Sequence, residues 1–229
     1  MKNNYLRVFV PVLIGILLYF TPAAAQSAKC GDDDYDCKVV ANGKLILANP
    51  RDAEAYFNRA LAYRHKEQWA LAIRDLDKYL SLPNSNKSYQ ADGYRERGWA
   101  RHKAADDRGA LADLDRAIVI NPDENEAYYS RGIIYRDQKD YRHAIADFSA
   151  YIGLNAAKPT YLADGYYQRG YVYNANGEYD KALKDLNIAI ATDDTKGFYY
   201  TERAYAYRKL GKNALAESDD AKAAELKKR

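Results

Sequence analysis

The sequence predicts an all-α fold of about five helical hairpins, because one pattern of residues repeats along most of the 229-residue chain. A small residue recurs at spacings of 38, 34, 38 and 34. An alanine follows each small residue by twelve positions, and a tyrosine precedes each by four. Apolar residues around both lie at steps of three and four, which places them on one face of a helix. The small residues are Ala60, Gly98, Gly132, Gly170 and Ala204.

The first 25 residues have the form of a secretory signal peptide. Two basic residues, Lys2 and Arg7, precede a 13-residue apolar run from Val8 to Phe20. Three alanines follow at positions 23–25, as at a signal-peptide cleavage site. This run is shorter than the roughly 20 apolar residues of a membrane-spanning helix, although a retained membrane anchor is the alternative. We therefore expect a periplasmic or secreted bacterial protein with no membrane span after cleavage.

Removal of this segment brings the chain close to neutrality. The full sequence holds 35 Lys and Arg residues against 32 Asp and Glu residues, and two of the basic residues lie in the segment. A nucleic-acid-binding protein needs a concentrated basic face. The mixed charges therefore argue against a nucleic-acid partner.

The mature N-terminus carries the only two cysteines, Cys30 and Cys37. Export to an oxidising compartment favours a disulfide between them. Free thiols are the alternative. The aspartates of this loop raise the question of a calcium site, but no turn glycine or later bidentate glutamate stands at loop spacing. We favour an acidic turn that caps the next helix. The helical run from Asp36 to Pro50 is then expected to cover the first repeat.

From residue 53 the chain resembles the tetratricopeptide-repeat family. Tyr128, Gly132, Tyr135, Ala144 and Phe148 match that family's motif in the third unit, and the other units agree in many columns. The resemblance implies a right-handed superhelical solenoid of about five helix-turn-helix repeats with capping helices. We thus expect a signal peptide at 1–25, an N-terminal segment with the cysteine pair and a capping helix at 26–52, and the solenoid at 53–229.

Two features of the repeats call for a structural explanation. The sequences within the two 38-residue spacings are similar and lie 72 residues apart, so the chain looks like duplicated pairs of units. The four extra residues of each spacing predict either a longer connection or one added helical turn. A glycine inside a helix costs about 1 kcal/mol relative to alanine. Its presence at Gly132 predicts close approach of the second helix, with Ala144 as the expected neighbour. The polar stretch 213–229 is expected to be a solubilising cap, with a basic partner-binding tail as the alternative.

Two charged columns run through all five units. Arginine stands one residue before each small residue, and aspartate stands three after each second-helix alanine. The columns are Arg59, Arg97, Arg131, Arg169 and Arg203, and Asp75, Asp113, Asp147, Asp185 and Asp219. A row of arginines that binds anionic ligands is one interpretation, and an Arg–Asp ladder is the other. We favour the ladder, with little contribution from each pair if the pairs lie on the surface.

The resemblance implies that a protein or peptide partner binds a concave groove lined by the first helices. The lining columns carry aromatic residues and arginine, which are enriched at binding hot spots. They are Phe57, Leu61, Arg64, Arg95, Trp99, His102, Tyr129, Ile133, Arg136, Tyr167, Tyr171, Asn174, Tyr205 and Arg208. Contacts between neighbouring first helices are the alternative role for these residues. The asparagines of the family's carboxylate clamp are absent from the column that holds Leu61.

No enzyme signature accompanies these columns. His65, His102 and His143 are the only histidines; by helical phase the first two face the groove and His143 faces away, so they are not expected to form a metal cluster. Nucleophile motifs, phosphate loops and paired histidines are missing, so we expect no catalytic residues, no metal and no cofactor. The expected function is a binding adaptor or scaffold of the bacterial cell envelope. A structural element that forms homo-oligomers is the alternative.

Overall fold

The computed structural model describes residues 30–83 and 87–228, and all regular structure in these ranges is helical. The predicted signal peptide lies outside the described residues. None of the described helices is both long enough and apolar enough to cross a membrane. The helices are α1 Tyr35–Ala48, α2 Ala53–His65, α3 Trp69–Ser81, α4 Lys87–Lys103, α5 Asp107–Ile120, α6 Asn125–Asp137, α7 Tyr141–Leu154, α8 Pro159–Ala175, α9 Tyr179–Thr192, α10 Gly197–Lys209 and α11 Asn213–Leu226.

Helices α2 to α11 form the five predicted hairpins. Each first helix (α2, α4, α6, α8 and α10) packs most extensively on the second helix that follows it, and each second helix also packs on the next first helix. Helix α1 packs on α2, as expected of a cap on the first unit. The prediction of an all-α repeat solenoid is confirmed.

The two 38-residue spacings arise from one added helical turn in each of two first helices. Helices α4 and α8 have 17 residues, whereas α2, α6 and α10 have 13. The extra four residues are therefore absorbed at the start of a first helix in every second unit, and the units alternate between a short and a long form.

The glycines at the small position, Gly98, Gly132 and Gly170, mark the places where the two helices of a unit approach closely. A Cβ built on Gly132 would lie 3.0 Å from Cε1 of Phe148, and one on Gly98 would lie 2.9 Å from Cγ of Leu114. The expected alanine is a neighbour in two units, where the backbone oxygens of Ala110 and Ala182 lie 3.1 and 3.4 Å from a Cβ built on Gly98 and Gly170, but it is not the nearest one. The nearest atoms belong to the bulky residue four positions after it, because that longer side chain reaches across to the glycine.

A left-handed residue ends the turn between the two helices of every unit. It stands seven positions after the small residue, where the chain needs a positive φ to leave the first helix. The residues and their φ angles are Glu67 at 55°, Ala105 at 63°, Lys139 at 60°, Gly177 at 79° and Gly211 at 72°. Only the last two units place glycine there.

The N-terminal segment is tied to the solenoid by its own contacts. Cys30 and Cys37 form a disulfide with Cα atoms 5.6 Å apart, as predicted. The Asp34 carboxylate accepts a hydrogen bond of 2.9 Å from the backbone N–H of Cys37 and caps α1, which confirms the capping role of the acidic turn. Asp36 pairs with Lys66 at the end of α2.

Candidate partner-binding face

The stack is curved, with the first helices on its inner side. Among the first helices, α2 contacts α4, α4 contacts α6, and α8 contacts α10. Within the described residues, no two second helices contact each other as extensively as these pairs do. The layer whose members lie closer together must be the concave one. We call the surface of α2, α4, α6, α8 and α10 that faces away from the second helices the inner face.

The arginine and aspartate columns form a structural ladder rather than a ligand site. In the third unit, Nε of Arg131 donates to Oδ2 of Asp147 at 2.8 Å and Nη2 donates to Oδ1 at 2.7 Å. The other four units repeat this bidentate pair. The pairs do not lie on the surface, because the five aspartates are only 2–5% exposed. Each pair is a buried crosslink between the two helices of its unit.

The same arginines also join neighbouring units. Nη1 of Arg97 donates to Asp77 at 2.7 Å and Nη1 of Arg131 donates to Asp115 at 2.6 Å. Arg169 and Arg203 donate in the same way to Ser149 Oγ and Asn187 Oδ1. All four acceptors lie in the second helix of the preceding unit. The ladder therefore fixes the register between units as well as within them.

A second set of bonds links the first helices across the inner face. Nη1 of Arg64 donates to Glu96 at 2.9 Å, and Nη1 of Arg136 donates to Gln168 at 2.7 Å. Nδ2 of Asn174 donates to the backbone carbonyl of Glu202 at 2.9 Å. In each case a residue four after one small position meets a residue two before the next. These bonds use side chains that the sequence assigned to partner binding.

Arg95 lies at the centre of an acidic cluster on this face. Its Nη1 donates to Glu96 at 2.7 Å, and its guanidinium lies 3.4 Å from Asp92 and 3.0 Å from Glu124. Burial opposes the charge on Arg95, but the surrounding carboxylates outweigh it and raise the pKa of Arg95. Burial also raises the pKa of Glu124 and Glu126 above the usual range. The carboxylates here exceed the cations available to neutralise them.

The structure places the fourteen predicted groove residues at three levels of exposure. Ile133 and Asn174 are buried, at 7% and 3% exposure, between neighbouring helices, and they offer no surface to a partner. Tyr171, Tyr205 and Arg208 are exposed. The half-buried remainder consists of Phe57, Leu61, Arg64, Arg95, Trp99, His102, Tyr129, Arg136 and Tyr167.

The polar members of the half-buried group are already engaged. His102 Nδ1 lies 2.7 Å from Asp107 Oδ1, Tyr129 Oη accepts from Gln168 Nε2 at 3.1 Å, and Arg136 lies over the ring of Tyr171. The alternative role as contacts between first helices thus accounts for much of this set. The exposed members of the set, Tyr171, Tyr205 and Arg208, concentrate at the C-terminal end.

An exposed aromatic patch covers α8 and α10. Tyr171, Phe198 and Tyr205 are 38%, 47% and 42% exposed. The half-buried ring of Tyr167 lies beneath, with centroids 6.5 Å from Tyr171 and 4.9 Å from Phe198. Rings of this kind gain from burial against a partner at little loss of conformational entropy.

One inner-face column escaped the sequence analysis. Six residues before the small position stand Glu54, Asp92, Glu126 and Asp164 in the first four units, and Phe198 takes this place in the fifth. The signal was an acid in four of five equivalent positions, at a helical phase that matches the columns already chosen. This column of the inner face is consequently acidic in its first four units and aromatic in its last. Among described residues, no group of three or more His, Cys, Asp or Glu side chains is arranged to hold a metal ion.

Solved structures with this architecture have low sequence identity to the chain. MamA (residues 41 to the end) from Desulfovibrio magneticus RS-1 superposes with a TM-score of 0.67 at 19% identity, over 77% of this chain and 95% of that one. YrrB, described as a TPR protein with an unusual peptide-binding site, gives 0.64 at 19% identity over 82% and 93%. The Cut9–Hcn1 hetero-tetramer of the APC/C gives 0.70 at 16% identity, over 83% of this chain and 36% of that one. These similarities establish the fold.

Comparison of sequences establishes the family. Serine/threonine-protein phosphatase 5 of Rattus norvegicus is 29% identical over 116 residues, which are 49% of this chain and 22% of the phosphatase; the Mus musculus protein gives the same values. The chain thus spans about a fifth of these relatives. Tetratricopeptide-repeat models match residues 43–88 and 96–161, and a further one matches 163–194. The chain therefore belongs to the tetratricopeptide-repeat family.

Proposed function

We propose that this protein is an exported adaptor or scaffold of the bacterial cell envelope, and that it binds a protein or peptide partner on its inner face. The observation that carries the proposal is the exposed aromatic patch of Tyr171, Phe198 and Tyr205. Exposed aromatic residues grouped on one face mark an interaction site more often than a single scattered exposed residue does.

Export is supported by two independent features. The N-terminal 25 residues have the charge, apolar run and small residues of a secretory signal. The Cys30–Cys37 disulfide is a bond that persists in oxidising compartments. Fractionation of cells that carry an epitope-tagged chain tests this part: recovery only in the cytoplasm with an intact N-terminus would contradict it.

Site-specific photo-crosslinking in cells tests the binding face. Benzoylphenylalanine replaces Tyr171 or Tyr205 on the inner face, and Val119 or Ile188 on second helices serves as the matched control, since all four residues are exposed. We expect one and the same adduct from the two inner-face positions and none from the controls. Equal adducts from the controls would contradict the assignment, and an adduct of two copies of the chain would favour self-association instead.

A further inference from the structure

A cavity of about 460 Å³ opens between the first two units. Two acidic residues, Glu54 and Asp92, line it together with the aromatic residues Phe57, Tyr79 and Tyr89. Its volume falls within the roughly 300–1,000 Å³ of small-ligand clefts. We propose that this cavity receives an arginine side chain of the peptide partner. This inference rests on the proposed function, because it names the kind of residue that the inner face recognises.

The charge of the lining favours a cation. Glu54 is exposed, and the side chain of Asp92 is 31% exposed and meets only one edge of Arg95, at 3.4 Å. Arg95 is shared with Glu96 and Glu124, so it does not neutralise the two carboxylates of the cavity. A guanidinium that enters here forms charge-assisted hydrogen bonds that the protein's own residues leave unmade.

The aromatic lining favours a planar cation in particular. Tyr79 is 5% exposed and its ring centroid lies 5.0 Å from that of Phe57, so the two rings pack together as one wall of the cavity. Tyr89 is 58% exposed and belongs to the added turn of α4. A guanidinium can stack on such rings while its edge meets a carboxylate, which the compact lysine ammonium cannot do.

The duplicated pair of units contains the same site in a closed form. Positions 72 residues later conserve the tyrosine of the wall as Tyr151 and both acids as Glu126 and Asp164. There Asn125 donates to Asn155 at 2.6 Å, and Asn155 is 1% exposed. Ala53 and Pro83 stand at the equivalent places of the first pair and cannot make this bond.

The acids of the second site are also less available. Tyr199 Oη donates to Asp164 at 3.0 Å, and Glu126 is half-buried, with its pKa raised by burial. The duplicate site therefore holds hydrogen bonds between the chain's own side chains that the residues at the equivalent positions of the first site cannot make. This contrast also supplies a matched control for mutagenesis.

Titration of the ¹⁵N-labelled chain with short peptides tests the inference. The probes are acetyl-Ala-Arg-Ala-amide and the same peptides with lysine or with citrulline, which keeps the shape of arginine without its charge. We expect saturable shifts of backbone resonances around the cavity at millimolar arginine peptide, as suits a ligand of this size. The citrulline peptide should bind at least about tenfold more weakly, and the lysine peptide should fall between them.

Two variants complete the experiment. Glu54→Gln combined with Asp92→Asn should weaken arginine-peptide binding at least about tenfold, whereas Glu126→Gln at the duplicate site should leave it unchanged. Circular dichroism verifies that each variant keeps its helical content. Phe57→Leu, which keeps the lining apolar, should weaken binding through loss of the ring alone.

The outcomes separate this inference from the proposed function. Absence of cavity shifts at about 20 mM peptide, equal binding of citrulline, or tighter binding of lysine would overturn the arginine site. If the inner-face crosslinks at Tyr171 persist in that case, the proposed function still stands. Arginine-peptide binding without inner-face crosslinks would instead support the cavity and overturn the proposed function.

Discussion

Replacement of Arg131 by methionine tests whether the Arg–Asp ladder belongs to the core. Asp147 is 4% exposed, and its two oxygens accept bonds of 2.8 and 2.7 Å from Arg131. Methionine retains much of the apolar stem of arginine but leaves the carboxylate buried without its partner. Breaking a buried pair in this way costs about 3–5 kcal/mol, far more than the loss of a surface pair.

The pH dependence of the variant identifies the cause. Burial raises the pKa of Asp147 even in the intact pair, and the hydrogen bonds from Arg131 oppose that rise. Without Arg131 the folded-state pKa rises further above the unfolded value. The folded state then binds the proton more tightly, so the lost stability returns as the pH falls through the folded-state pKa. We expect a smaller penalty at about pH 4 than at neutral pH.

Urea denaturation followed by circular dichroism measures both effects. Asp115→Asn is the control, because the Asp115 side chain is 56% exposed and bonds the same arginine, and we expect a change within about 1 kcal/mol. The double variant Arg131→Met with Asp147→Leu should recover most of the loss, since it removes the buried charge. A loss in Arg131→Met no larger than that of Asp115→Asn, or one that is independent of pH, would refute a core role for the pair.

Three further predictions address the turns, the helix contact and a half-buried acid. Lys139→Gly should stabilise the chain by about 0.5–1 kcal/mol, because Gly177 already occupies the equivalent left-handed position, and Gly177→Lys should destabilise it; thermal denaturation of both variants decides this. Gly132→Leu should destabilise by about 1–3 kcal/mol through a clash with the ring of Phe148, and an unchanged thermal midpoint would contradict the close contact. Burial raises the pKa of Glu126, so Glu126→Gln should gain urea resistance relative to the parent chain on going from acid to neutral pH, where the parent must bury the charge.

The repeating architecture was predictable from the sequence because packing demands it at every unit. A small residue at Gly132 and an alanine at Ala144 are needed wherever two helices cross closely, so both recur with the period of the fold. The added turns of α4 and α8 were not predictable. A loop and a helical turn of four residues produce the same spacing, and the choice depends on how the turn packs against the preceding second helix.

The inner face was predictable only in outline. Helical phase identified its columns, but it cannot show which side chains of one unit reach the next. Arg64 and Glu96 lie 32 residues apart, and their bond depends on the distance between α2 and α4. Asn174 illustrates the same limit, since it has the phase of a groove residue yet is buried against Glu202. Residues with several options for pairing require the neighbouring helix to be in place before their role is defined.

Comparison of equivalent positions within the chain separates stacking from recognition. A residue type that every unit keeps, such as the arginine of the ladder, serves contacts that every unit makes, and it carries no information about the partner. Recognition must depend on positions at which matched units differ. Two such differences are Ala53 in the first pair of units where the second pair has Asn125, and Pro83 where the second pair has Asn155. A third is Phe198, which ends an otherwise acidic column. Ala53 and Pro83 lie at the first unit and Phe198 at the last, so a partner that contacts both the cavity and the aromatic patch would need a basic residue and an apolar segment separated by the length of the solenoid.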